Sequence, residues 1–300
     1  METSLDCLVC FLRQARATGL LAADTPEQQR QLLVQAGGLL ADFDMKRSPP
    51  ENASMLYAAF AEILQNIDPF VTVKEQSNAF AISLKEAMAA RIQAASDPLL
   101  AALRVAIGGN IIDYAAQHVF DAEQTMAECF DRPFALDDSA LLQQDITSIS
   151  GANILYLCDN CGEIVFDSLL VKELQTRGCR LTVAVRDKPI INDATMADAV
   201  ACGLEKLCPV ITNGTACPGT PLDQCSDQFK QHFFSADIII SKGMGNFETL
   251  SAIAAPIYFL FTVKCSEVAR HVTAIKQLPA QAITGTGEMV LMRQHVEPLC

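Results

Sequence analysis

The spacing of apolar residues changes once along this chain. Up to about residue 145 they recur every three or four positions, as on one face of a helix. From residue 153 they gather into short unbroken runs separated by shorter helical stretches. The first pattern predicts helices over residues 5–16, 28–43, 55–67, 77–95 and 98–107. Ser48-Pro49-Pro50, Asp68-Pro69 and Asp97-Pro98 read as breaks between them. The second pattern predicts strands over 153–158, 180–185, 236–240 and 256–263, with a helix over 164–177 joining the first two. Such runs, apolar on both faces, suit a parallel sheet covered on both sides. The expectation is an α/β fold: a three-layer α/β/α Rossmann-like sheet over 146–300, preceded by an all-helical domain over 1–145.

In open parallel sheets, ligands bind where strands end. The first run ends in Asp159-Asn160, with Gly162 and Glu163 opening the next helix. The second ends in Arg186, and Asn192, Asp193 and Thr195 precede a short helical stretch over 196–203. If these strands are neighbours in a βαβ unit, Asp159, Asn160 and Asp193 converge. Two carboxylates and an amide oxygen form a hard donor set suited to Mg²⁺ or Mn²⁺. Each of these residues is also an ordinary helix cap. The third run leads into Lys242-Gly243-Met244-Gly245-Asn246, before a helix from about Phe247 or Glu248. It holds no Gly-x-Gly-x-x-Gly, so dinucleotide binding is poorly supported. The fourth ends in Lys264, either a solvated lysine or a point charge for phosphate. Gly108-Gly109-Asn110 interrupts the helical half, either as a helix end or to bring Asn110 and Asp113 to the rim of a site between the halves.

The segments DNCGEIVFD, VRDKPIINDAT, KGMGNFETL and VKC, in this order and spacing, resemble the damage-control phosphatase family. One branch of that family was once proposed to contain protein carboxyl methyltransferases. CLVC (7–10), GGNIID (108–113) and DPF (68–70) followed by Lys74 and Asn78 are similar to its shorter, mostly prokaryotic branch. The resemblance spans nearly the whole chain. It implies a divalent-metal-dependent phosphatase acting on small phosphorylated metabolites, sugar phosphates first and other damaged phosphometabolites behind. Carried over by position, Asp159, Asn160 and Asp193 hold the metal, one of Mg²⁺, Mn²⁺, Co²⁺ or Ni²⁺. Asp159, Asp193, Glu163 and Lys264 form the catalytic group. Asn246 and Glu248 lie around the substrate with Glu163 and Lys264. From the residue pattern, Arg186, Lys242, Asn110 and Asp113 join the expected substrate-binding group. Backbone N–H groups near Gly162 and Gly245 would face phosphoryl oxygens, and either water or Asp159 is the nucleophile. The family commonly has alanine where this chain has Cys161, and a thiol beside a metal would alter metal choice.

Composition narrows the partners. The net charge of −13 over 300 residues argues against nucleic acid. It leaves Arg186, Lys188, Lys242 and Lys264 as the local positive charge for an anionic substrate. No apolar run approaches the roughly 18 residues needed to span a bilayer. The N-terminus lacks a basic region followed by an apolar stretch, so the twelve cysteines read as reduced thiols of a cytoplasmic protein. Cys7/Cys10 and Cys158/Cys161 have spacing that can bind zinc or form a redox pair, while Cys158 should point into the sheet. His118, His232, His271 and His295 fall outside the motifs. The glycine- and proline-rich stretch 212–226 is a candidate lid. The rival functions are an S-adenosylmethionine-dependent carboxyl methyltransferase, a non-catalytic thiol or zinc protein, and a nicotinamide-dependent oxidoreductase. Nothing in the pattern sets an oligomeric state.

Overall fold

The computed structural model describes residues 1–109 and 128–294. Asn110 and Asp113 lie outside the described residues. The described strands are β1 (Phe134–Asp137), β2 (Asn153–Leu157), β3 (Arg180–Val185), β4 (Val210–Thr212), β5 (Ile238–Lys242), β6 (Ile257–Val263) and β7 (Glu288–Arg293). They form one sheet in the order β1-β7-β6-β5-β2-β3-β4. Every neighbouring pair is parallel except β6 with β7. The helices are α1 (Leu5–Ala22), α2 (Pro26–Leu39), α3 (Pro49–Leu64), α4 (Val71–Ala94), α5 (Pro98–Gly108), α6 (Ser139–Ser148), α7 (Glu163–Thr176), α8 (Met196–Ala201), α9 (Asp227–Ser235), α10 (Met244–Leu250) and α11 (Ser266–Ile275).

Strand alternation sorts the side chains into two cores. Ile154, Tyr156, Val183, Ile240 and Leu260 pack with residues of α4, α5, α6 and α7. Leu155, Leu157, Ile239, Phe259 and Phe261 face the other way, onto Phe229 and Phe233 of α9, Phe247 of α10 and Val268 of α11. Phe11, Leu32, Leu56 and Phe60 anchor a third core among α1, α2 and α3. The three-layer expectation therefore holds, but a boundary at 145/146 does not separate two cores. Helices α4 and α5 share theirs with the sheet, and β1 lies inside the stretch expected to be all helical. Strand β1 alternates half-buried with exposed residues, so its pattern is weak over four positions. Strand β7 had no expectation either.

Two expected breaks are helix starts. Ser48 caps α3 in a capping box with Glu51, and Pro49 occupies the first turn, where its missing N–H costs nothing. Asp97 accepts a bond from Leu100 N at 3.0 Å ahead of Pro98 in the same way. The double glycine ends α5 by close packing. A Cβ on Gly108 would lie 2.3 Å from Cys129 Sγ, and one on Gly109 2.9 Å from the Phe166 ring. Among the described residues, no helix is long and apolar enough to cross a membrane.

Phe166 of α7 is fully buried where that helix meets α5. Phe166→Ala should cost about 3–5 kcal/mol through lost transfer energy and a residual cavity. Urea unfolding followed by far-UV circular dichroism measures this; a loss below about 1 kcal/mol would show that α5 and α7 collapse onto each other without the ring.

Candidate functional site

Strands β3, β2, β5 and β6 run parallel, so their carboxyl ends emerge along one edge of the sheet. A cleft of about 680 Å³ lies there. Its floor holds Asp159 and Asn160 after β2, Asn192 and Asp193 after β3, Met244, Gly245 and Glu248 from α10, and Lys264 after β6. Its opposite wall is α1, through Cys7, Cys10, Arg13 and Gln14, with Pro49 and Pro50 of α3.

The two acid-bearing turns are stitched together by backbone. Asn160 and Asp193 form an isolated antiparallel bridge. Ala194 N donates to Asp159 O at 2.8 Å, and Cys161 N to Asn192 O at 2.9 Å. Both carboxyls are buried, Asp159 at 8% and Asp193 at 3% exposure. Arg186 lies beneath them. Its Nε is 2.6 Å from Asp193 Oδ2, and its Nη2 is 3.5 Å from Asp159 Oδ1. Its Nη1 donates to Gly219 O at 2.9 Å and Asn246 Oδ1 at 3.0 Å. Burial pushes the Asp159 carboxyl well above the usual carboxylate range; Asp193 and Glu163 add to this, and Arg186 and Lys242 oppose it. Burial also raises Asp193, despite its bond to Arg186. One guanidinium thus serves two crowded acids.

That donor set fits a hard divalent cation. Asp159, Asn160 and Asp193 offer oxygen only, and the charge they concentrate exceeds what Arg186 neutralises. Gly243 leaves room for it: at φ +78°, a Cβ there would lie 1.9 Å from Asp159 Oδ2. Among the described residues, no three His, Cys, Asp or Glu side chains cluster to hold a metal. Cys158 is buried in the core, as expected. Cys161 points away from the cleft into the same core, its thiol 3.7 Å from Asp193 O and raised by burial. All eleven described cysteines are free.

Several expected substrate contacts are instead supports. Lys242 is 0% exposed, and Nζ donates to Ala106 O at 2.8 Å, Glu163 Oε1 at 2.5 Å and Asp167 Oδ1 at 2.7 Å. All three ammonium protons are spent, so it does not reach into the cleft. Glu163, also buried, turns its other oxygen to Asn160 N at 3.4 Å. Asn246 lies inside α10 rather than before it, donating to Cys158 O at 3.2 Å and Lys242 O at 2.8 Å. Arg186 stands behind the acids. Gly162 N is taken by Asn78 Oδ1 at 2.7 Å and is not available to a phosphate. Glu248 and Lys264 do line the cleft. The stretch 212–226, a candidate lid, forms part of the cleft wall here: Pro218 lines the cleft, and Thr220 Oγ1 donates to Asn246 Oδ1 at 2.7 Å.

Sequence reasoning did not place Arg13, Gln14 or Asn192 at the site. The signal was present for the first two. Cys7, Cys10, Arg13 and Gln14 stand three, six and seven residues along one helix and share a face. What that face meets is a tertiary fact.

A family model described as the damage-control phosphatase ARMT1-like domain matches residues 3–277. A damage-control phosphatase of Pyrococcus horikoshii is 33% identical over 280 residues, covering 92% of this chain and 96% of that protein. One from Archaeoglobus fulgidus is 32% identical over 277 residues, covering 91% and 96%. The crystal structure of the P. horikoshii protein, described as a DUF89 family protein, superposes with a TM-score of 0.86 at 34% identity, covering 98% of this chain and all of that one.

Lys242→Met should destabilise the protein by about 3–5 kcal/mol, because it leaves Glu163 and Asp167 buried without their cation. Adding Glu163→Gln and Asp167→Asn should recover part of that loss. Chemical denaturation of the three proteins checks both statements, and a single variant as stable as wild type would remove the charge pairing from the account.

Proposed function

The chain belongs to the damage-control phosphatase ARMT1-like family, and on that footing we propose that it hydrolyses phosphomonoesters of small metabolites with the help of one divalent cation. The observation that carries the site assignment is the pair of buried carboxyls, Asp159 and Asp193, sharing one guanidinium at the floor of a cleft. Asp159, Asn160 and Asp193 would hold the cation, and their all-oxygen chemistry favours Mg²⁺ or Mn²⁺, with Co²⁺ and Ni²⁺ as alternatives. Bound there, it supplies Lewis acidity and neutralises charge on the phosphoryl group.

The remaining chemistry falls to the chain itself. Lys264 at the end of β6 lines the same cleft and supplies a fixed positive charge for phosphoryl oxygens. Asp159 Oδ2 accepts from Asn160 Nδ2 at 2.9 Å, and Oδ1 faces Arg186. A carboxylate with both oxygens engaged is a poor nucleophile, which favours water as the attacking group. Glu248 is suited to protonating the leaving oxygen. Burial raises its carboxyl to about 7, so it is largely protonated below neutral pH. Sugar phosphates are the first substrate class to test, and the free thiols accord with a reducing, cytoplasmic setting.

Phosphate release from p-nitrophenyl phosphate and a panel of sugar phosphates should vanish with chelator and return with added metal. Asp159→Ala and Asp193→Ala should each abolish it while the protein stays folded; full activity with a normal metal response in either variant would sink the ligand set.

Turnover of a sugar phosphate should fall as pH rises through about 7, because the donor form of Glu248 is lost. Glu248→Gln should lower that turnover about 10²-fold and remove this limb of the profile. p-Nitrophenyl phosphate, whose leaving group needs no proton, should barely respond. Equal loss on both substrates would assign Glu248 to binding instead.

A further inference from the structure

A second cavity, of about 330 Å³, lies beside the cleft. Its walls are the rings of Tyr57, Phe60 and Phe70, together with Ile190 and Ile191 of the loop that leads to Asp193. At its rim stands Lys188, an exposed ammonium with no hydrogen bond or ion pair among the described residues. The rim's acid, Asp68, is by contrast paired with Lys74 at 2.9 Å. An apolar, ring-lined chamber with an exposed ammonium at its rim complements a small molecule that has an apolar body and one negative charge.

Ile191 is the partition. It lines both cavities and sits at φ +45°, an unusual backbone state for a β-branched residue. The residues that follow it are Asn192 and Asp193. Asp193 N is bonded to Ile190 O at 3.0 Å, so the wall of one chamber and the floor of the other are a single turn. A second link crosses from Tyr57 Oη to Gln14 Oε1 at 3.5 Å, one residue lining each cavity. The cleft, at about 680 Å³, already has the volume of a complete small-ligand site, so the substrate does not need the extra chamber.

We propose that this chamber binds a small amphipathic anion, an aromatic or aliphatic body carrying a carboxylate or sulfonate, and that its occupancy alters turnover in the cleft through Ile191. The turnover half rests on the phosphatase reading; the binding half does not. The chain contains no tryptophan, so Ile67→Trp, at an exposed rim position, installs a single fluorophore. With the full metal-loaded chain, 8-anilinonaphthalene-1-sulfonate should quench that emission saturably at one equivalent. Adding Lys188→Gln should weaken binding at least threefold, and adding Ala58→Phe, which fills the chamber from α3, should abolish it. In the chain without the reporter, saturating probe should change kcat for p-nitrophenyl phosphate at least twofold, and Ala58→Phe should remove that response. Quenching that survives both substitutions, or that inorganic phosphate displaces competitively, overturns the site. Binding as expected with kcat and KM unchanged overturns the coupling. Binding as expected in a protein that hydrolyses no phosphate ester keeps the site and refutes the phosphatase reading instead.

Discussion

Two carboxyls buried side by side are unfavourable unless a cation stands with them, and Arg186 is that cation. Its fork reaches Asp193 on one side and Asp159 on the other. Holding a guanidinium there requires further acceptors, and they come from distant sequence: Gly219 and Thr220 in the wall after β4, and Asn246 in α10. The geometry of the wall, the helix and the two strand ends is therefore one solution to one electrostatic problem. One guanidinium stands against two acids, a charge balance that would suit a divalent cation.

A second charge cluster supports the first from inside the sheet. Lys242 joins Glu163 and Asp167, Tyr156 Oη donates to Asp167 at 2.6 Å, and Glu163 turns to Asn160. A third ties the helical half in. Asn78 of α4 accepts from Gly162 N and donates to Asp198, and Lys74 of α4 lies 3.4 Å from the same carboxyl. Motif residues far from the cleft thus fix the turn that carries Asp159 and Asn160. Truncating any one of them leaves a buried polar group unpaired, which costs more than the bond itself contributes.

The acids were legible because a parallel sheet sends strand ends to one edge and unbroken apolar runs locate those ends. Lys242 was misread for a related reason. As the last residue of β5 it looks like a strand-end cation, but alternation puts it on the face of Ile238 and Ile240, toward α5 and α7. Counting in twos from Ile240 would have placed it. Arg13 and Gln14 could not be placed, because a helical face shows which residues stand together and not what they meet. Strands β1 and β7 were missed as well: one is four residues alternating half-buried with exposed, and the other returns antiparallel beside β6 after α11 and a loop, so it completes no parallel βαβ unit.

The strand order has a bearing on how the protein is made. Strand β7 is the last described element, yet it sits between β1 and β6. As the polypeptide leaves the ribosome, β1 has no ladder partner, and β6, buried at all seven positions in the finished protein, offers an open apolar edge. Both wait for residues 288–293. Synthesis therefore passes through a stage in which the strands β1 to β6 all exist and the apolar edge of β6 is uncapped. The protein's yield in a cell depends on how long that stage lasts and on what else is there to pair with the edge.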